Sequence, residues 1–148
     1  MIYLDNNATT QVDPVVFEKM KPYFLDQFYN ASSNTHSLGI HVKNVVEESR
    51  ELIAELFNRN PQEIIFTSGS TESINLAIKG IFHEVQNGNL VTTSVEHKAV
   101  LDAAESMTNN KTIYIKPNRF GQVTPEQIES IIDKNTKLVS VFYYFAKS

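Results

Sequence analysis

Apolar residues recur at helical spacing over residues 14–28, where Phe17, Met20, Phe24 and Phe28 share a side. Asp13-Pro14 supplies a plausible cap and first turn. A polar stretch, Asn30 to Gly39, separates this segment from a longer amphipathic one. There Val42, Val45, Val46, Ser49, Leu52, Ile53, Leu56 and Phe57 form one stripe, and Glu47, Glu48, Arg50, Glu51 and Glu55 the opposite, solvated face. Asn60-Pro61 is expected to end that helix, because proline disfavours helical geometry in the residue before it.

From residue 64 the period alternates between strand and helix. Ile64 to Thr67, Leu90 to Thr93, Thr112 to Ile115 and Leu138 to Phe145 read as strands. Between them lie helical patterns marked by Ile74, Ala77, Ile78, Ile81 and Phe82, by Val100, Leu101, Ala104 and Met107, and by Ile128, Ile131 and Ile132. Gly88 breaks the first, and Phe120 to Val123 reads as a turn or short hairpin. Thr124-Pro125-Glu126-Gln127 has the form of a capping box with proline in the first turn. Strands separated by helices imply right-handed crossovers. The expected fold is α/β: a three-layer, mostly parallel sheet with helices on both faces.

A chain of 148 residues fits one domain with a real core, and 41% apolar with 20% charged residues is ordinary globular usage. The net charge of −4 gives no reason to expect nucleic acid or an anionic membrane as partner. Apolar runs of a few residues fall far short of the roughly 20 that span a bilayer. The start, Met1 to Asp5, lacks a basic leader followed by an apolar stretch, so a cytoplasmic protein is the expectation. Cysteine is absent, which removes disulfides, thiolate metal sites and any thiol nucleophile from these residues.

Two places invite chemistry. At Thr67-Ser68-Gly69-Ser70-Thr71-Glu72 a strand gives way to a helix through a glycine and two hydroxyl residues. Free amides and the helix dipole favour an anion there, so Ser70 and Thr71 are candidate phosphate ligands. The plainer reading is an N-capped helix, since serine and threonine are common caps. The second place is Val95-Glu96-His97-Lys98, directly after a strand. Ligands of open parallel sheets bind beyond the carboxyl ends of the strands, which would put His97 on the same rim as Ser70 and Thr71. A histidine there can stack on a planar ring and move protons, or simply cap the helix. His36 and His41 lack an acidic or cysteine partner at ligand spacing, so no metal site is expected.

In order along the chain, these segments resemble the cysteine desulfurases of the iron–sulfur-cluster type, within the class V aminotransferase group. The similar stretches are the arm Tyr3 to Thr10, the loop Asn30-Ala31-Ser32-Ser33 through His36 and Gly39, Glu63 to Asn75, and Thr93-Ser94-Val95-Glu96-His97. The resemblance runs from residue 1 to about 142. It implies part of the large domain of a fold-type I pyridoxal 5'-phosphate enzyme, with residues 1–12 as a substrate-side arm and 13–148 as a partial cofactor-binding domain. By the same resemblance, Ser70 and Thr71 contact the cofactor phosphate, and His97 packs on the pyridine ring and assists proton transfer. Asn6 and Asn7 belong to the arm near the substrate.

The reaction implied removes sulfur from L-cysteine, giving alanine and a persulfide for iron–sulfur or thio-cofactor assembly. The family is expected to pair as homodimers and to pass sulfur to an acceptor protein. It needs a Schiff-base lysine and a cysteine nucleophile, which fall later in the family's sequence. Lys98 follows a histidine as the Schiff-base lysine does, but it belongs to the earlier motif and is not that residue. Where the family continues into an asparagine-asparagine-glutamate-threonine-glycine loop, this sequence has Tyr143 to Ser148. The expectation is a truncated or frameshifted product, or a fragment, inactive alone and prone to self-association. The competing readings are another class V enzyme, such as a selenocysteine lyase or an aminotransferase, and a non-catalytic phosphate-binding or interaction remnant.

Overall fold

The computed structural model describes residues 2–6 and 8–142. The chain forms two compact units, residues 1–65 and 66–148.

The first unit is helical. Helices α1 (Pro14–Met20) and α2 (Pro22–Leu25) replace the single helix expected over 14–28. Pro22 has no amide to donate and opens α2 instead, which leaves Lys21 as the joint. Asp13 caps α1 as expected, accepting from the amides of Val15 (2.8 Å) and Val16 (3.4 Å). Helix α3 (Ser37–Leu56) begins at His36, whose Nδ1 accepts from the Gly39 amide at 3.0 Å. A side chain at Gly39 would meet Ser33 Cβ at 2.7 Å, so the Asn30–Ser33 loop can lie on α3 only with glycine at that position.

Helix α3 stops before the Asn60-Pro61 step held responsible above. Asn58 adopts a left-handed φ of 51°, its amide bonds Glu55 O, and the Arg59 amide bonds Ala54 O. This is a Schellman-type ending with asparagine in the usual glycine place. Asn60 and Pro61 instead open a single 3₁₀ turn, Pro61–Glu63, where Glu63 reaches back to the Asn60 amide at 2.8 Å.

The second unit is α/β. Helices α4 (Ser70–His83), α5 (Lys98–Glu105) and α6 (Pro125–Glu129) alternate with strands β1 (Asn89–Thr93), β2 (Lys111–Ile115) and β3 (Thr136–Ser140). All three strands are parallel, in the order β2-β1-β3. Chain direction across the sheet reverses between the two crossovers, so right-handed connections put α5 and α6 on opposite faces. The expected three-layer α/β architecture is therefore present.

Central strand β1 is buried along its whole length. Leu90 packs with Ile78 and Phe82 of α4 and with Val100, Ala103 and Ala104 of α5. Its neighbour in register on β3, Leu138, packs against the same cluster. At the entrance to β1, Asn87 turns with φ 59° and a Cβ on Gly88 would strike Val85 at 2.6 Å. Thr124 and Gln127 form the reciprocal capping box read from the sequence, with bonds of 3.0 and 3.4 Å.

Three expectations need correction or a boundary. Ile64–Thr67 is irregular rather than a strand, because no strand lies beside it among the described residues and an extended segment without a ladder is not sheet. Residues 120–123 make a turn without a hairpin: Asn118 Oδ1 accepts from the Phe120 and Gln122 amides while Gly121 takes a φ of 77°. Strand β3 ends at Ser140, and the expected continuation through Tyr143, Tyr144 and Phe145 lies outside the described residues.

Two outcomes are expected. Leu90→Ala removes a fully enclosed side chain and should cost about 2–5 kcal/mol in urea unfolding, because the sheet and two helices cannot close on the gap. Phe17, Phe24, Phe28, Leu52, Leu56 and Phe57 are each more than half exposed. Light scattering at micromolar concentration should find self-association, and a monodisperse monomer would contradict this.

Candidate functional site

Helix α4 ends near the start of β1, where Phe82 packs with Leu90. The helix therefore runs antiparallel to the strand and begins at the strand's carboxyl end. Helix α5 follows β1 and runs back over the same face, packed on α4. Both helices thus start at one rim of the sheet, Ser70 and Thr71 opening α4 and His97 capping α5. This is the rim at which open parallel sheets bind ligands.

Among the described residues, no side chain caps the first amides of α4. The N-cap is Gly69 in extended backbone, and a Cβ there would meet nothing within 4 Å, so the space over the turn is open. The residues that would ordinarily close such an end are engaged elsewhere. Thr67 Oγ1 pairs with Ser73 Oγ at 2.7 Å, and Glu72 folds back to accept from Ser68 through its amide (2.6 Å) and its hydroxyl (2.7 Å). The plain reading, in which Ser70 or Thr71 is the cap, is not what the structure has. Donor amides and two exposed hydroxyls at the positive end of a 14-residue helix fit a phosphate group.

His97 does act as a cap. Its Nδ1 accepts from the Ala99 amide at 3.1 Å, which in the neutral ring assigns the proton to Nε2. The ring is nevertheless exposed, so one nitrogen holds the helix while a face and Nε2–H remain available to a guest. Lys98 forms a two-pronged pair with Asp102 at 2.7 and 2.9 Å. The hydrogen bond to Asp102, then the charge of that carboxylate, raises its pKa, so Lys98 stays an ammonium and a poor nucleophile near neutral pH.

The remaining candidates belong to the first unit. Asn6 sits in a turn of the arm and accepts from Thr10 Oγ1 at 3.5 Å. Asn7 lies outside the described residues. His36 caps α3, and His41 Nε2 lies 3.2 Å from Gln27 Oε1. Among the described residues, no three histidine, cysteine or carboxylate side chains gather at metal-binding distance. No helix among them is long and apolar enough to cross a membrane.

Residues 2–144 match the family described as Aminotransferase class-V. The chain belongs to that family. It is 43% identical over 148 aligned positions to a cysteine desulfurase IscS of Pseudomonas putida (strain W619), a match covering 96% of this chain and 37% of the relative. Among solved structures, SspA in complex with cysteine superposes with a TM-score of 0.83 at 38% identity, covering 94% of this chain and 41% of that one. The apo cysteine desulfurase of Thermococcus onnurineus NA1 gives 0.82 at 32%, covering 95% and 36%. The chain thus spans well under half the length of these relatives. Class V aminotransferases are pyridoxal 5'-phosphate enzymes, and the parallel α/β arrangement here is part of their fold-type I architecture. Family and fold agree with the resemblance drawn from the motifs.

The sequence reading missed Glu72, whose place three residues after the Gly69 cap was the visible signal. Donation from the Ser68 hydroxyl, then from its amide, holds the Glu72 carboxyl below its ordinary 4.5, against a small opposing desolvation. A carboxyl with a depressed folded pKa stabilises above its unfolded pKa and loses that contribution as pH falls through the folded one. Amide exchange at Ser68, corrected for intrinsic rate, should lose protection as pH falls below the ordinary glutamate range. In Glu72→Gln this acid step should vanish; an identical step in the variant would disprove the assignment.

Proposed function

We propose that this chain is the cofactor-phosphate-binding part of a cysteine desulfurase, which takes sulfur from L-cysteine to give alanine and an enzyme persulfide. One observation supports this most: two mutually packed helices begin at the same sheet rim, one uncapped with Ser70 and Thr71, the other presenting His97. The α4 amides with Ser70 and Thr71 hold the phosphate of pyridoxal 5'-phosphate, and His97 packs on its ring and exchanges protons through the imidazole. When bound, the cofactor supplies an electron sink for negative charge developing at the substrate. Asn6 and Asn7, in an arm of residues 1–12, serve the substrate side, and residues 13–148 form the partial cofactor domain.

The 148 residues contain no cysteine, so the persulfide-forming thiol is not among them, and Lys98 is held as a paired ammonium. The chain by itself therefore binds without turning over. Cysteine as substrate is supported by the cysteine complex of SspA. A cytoplasmic homodimer that hands sulfur to an acceptor protein for iron–sulfur assembly is the setting that fits a desulfurase of this type.

Fluorescence titration tests the binding claim. Ser70→Ala combined with Thr71→Val should weaken pyridoxal 5'-phosphate binding about ten-fold or more, with inorganic phosphate competing in the native chain. His97→Ala should weaken pyridoxal 5'-phosphate but leave inorganic phosphate unaffected. Borohydride treatment of the mixture should label no unique lysine. Specific labelling of Lys98 with sulfide release from cysteine would falsify the assignment.

A further inference from the structure

Glu96 is a carboxylate with only 9% of its surface exposed. A carboxylate so enclosed needs donors, and it has one nearby in the chain and one far from it. Its Oε1 accepts from the Thr93 hydroxyl at 3.1 Å and from the Phe142 amide at 2.6 Å, across 46 residues of sequence. Thr93 is itself buried, and its oxygen also receives the Val95 amide at 3.4 Å.

The position of these bonds matters. The ladder between β1 and β3 pairs Thr92 with Ser140 and goes no further, while β1 continues one residue more beside β2 before the loop that leads to α5. Phe142, two residues beyond, bonds the Glu96 side chain where β1 no longer offers a strand partner. On the other side of β1, the Ser94 amide bonds Ile115 O at 2.9 Å. The short loop Ser94–His97 is thus tied to β2 by its own backbone and to the outgoing end of β3 by Glu96.

We propose that Glu96 is a positioning residue: its buried carboxylate clamps the exit of β3 to the β1–α5 loop and so fixes the backbone that presents His97. This rests on the reading of His97 as a ring-packing residue and extends it. His97 sets its own side chain by bonding the Ala99 amide, which ties it to the first turn of α5 but not to β3. Glu96 supplies the external reference. A charge-assisted bond to a backbone amide is suited to this, being short and directional.

Hydrogen-exchange mass spectrometry on the full chain tests the clamp, following the Phe142 amide, the Val91 amide as a fold control, and the Cε1–H of His97. Glu96→Ala should speed exchange at Phe142 about ten-fold and change the rate at His97 while Val91 holds. Glu96→Gln keeps an oxygen for both donors and should return both rates to within about three-fold of the native chain. Thr93→Val, which removes the hydroxyl that aims the carboxylate and with it the weaker bond from the Val95 amide, should fall between. Unchanged Phe142 exchange in Glu96→Ala, a faster Phe142 with His97 unmoved, or a Glu96→Gln as damaged as the alanine form would each overturn the proposal. If Glu96→Ala also releases Val91, Thr93→Val decides: it must move Phe142 and His97 with Val91 intact, or the clamp is wrong. Failure of the native chain to bind pyridoxal 5'-phosphate counts against the proposed function alone, since the exchange rates are read without cofactor.

Discussion

Strand β1 has a partner on each edge and side chains packed on each face, so its five residues are almost wholly withdrawn from water. Burial of that kind is self-consistent only if every backbone group finds a ladder partner and every side chain a neighbour. The parallel pairing to β2 and β3 meets the first requirement, and the cluster around Leu90 contributes to the second. Because α4 and α5 are held by that cluster, their starting points are held as well. The rim chemistry is a consequence of a dry strand some residues away.

At the rim, the same residue types serve structure and candidate binding, and the geometry separates the two uses. His36 and His97 both cap helices through Nδ1. Only the second follows a central strand, at the rim where α4 also begins. At α4 the side chains that commonly cap are bonded elsewhere, with Glu72 turned onto Ser68 and Thr67 onto Ser73. An unsatisfied helix end held open by its own neighbours differs from one merely lacking a cap, since the donors are kept free by bonds that would have to break to cover them.

Much of the architecture was legible because local signals agreed with the global fold. The Thr124–Gln127 box, the Asp13 cap and the strands at Leu90–Thr93 and Thr112–Ile115 each depend on a few adjacent residues, and each formed as read. Misreadings came where the deciding contact was not local or where two breakers competed. Ile64 to Thr67 has strand composition but no neighbour to pair with among the described residues. At the end of α3, Asn58 acted before Pro61 could, because asparagine tolerates the left-handed turn that frees the last carbonyls for capping. Pro22 was passed over because the phenylalanine spacing continues through it.

The order of apolar and polar positions by itself determined the class of fold and the capped helix starts at Asp13 and Thr124. These follow from periodicity and capping, which act over one or two turns of chain. Tertiary structure alone decided that Thr93, Glu96 and Phe142 converge, and that the α4 amides stay uncapped. Bonds across 46 residues leave no pattern in a single sequence, because any buried acid needs a donor and nothing local says which distant amide will provide it.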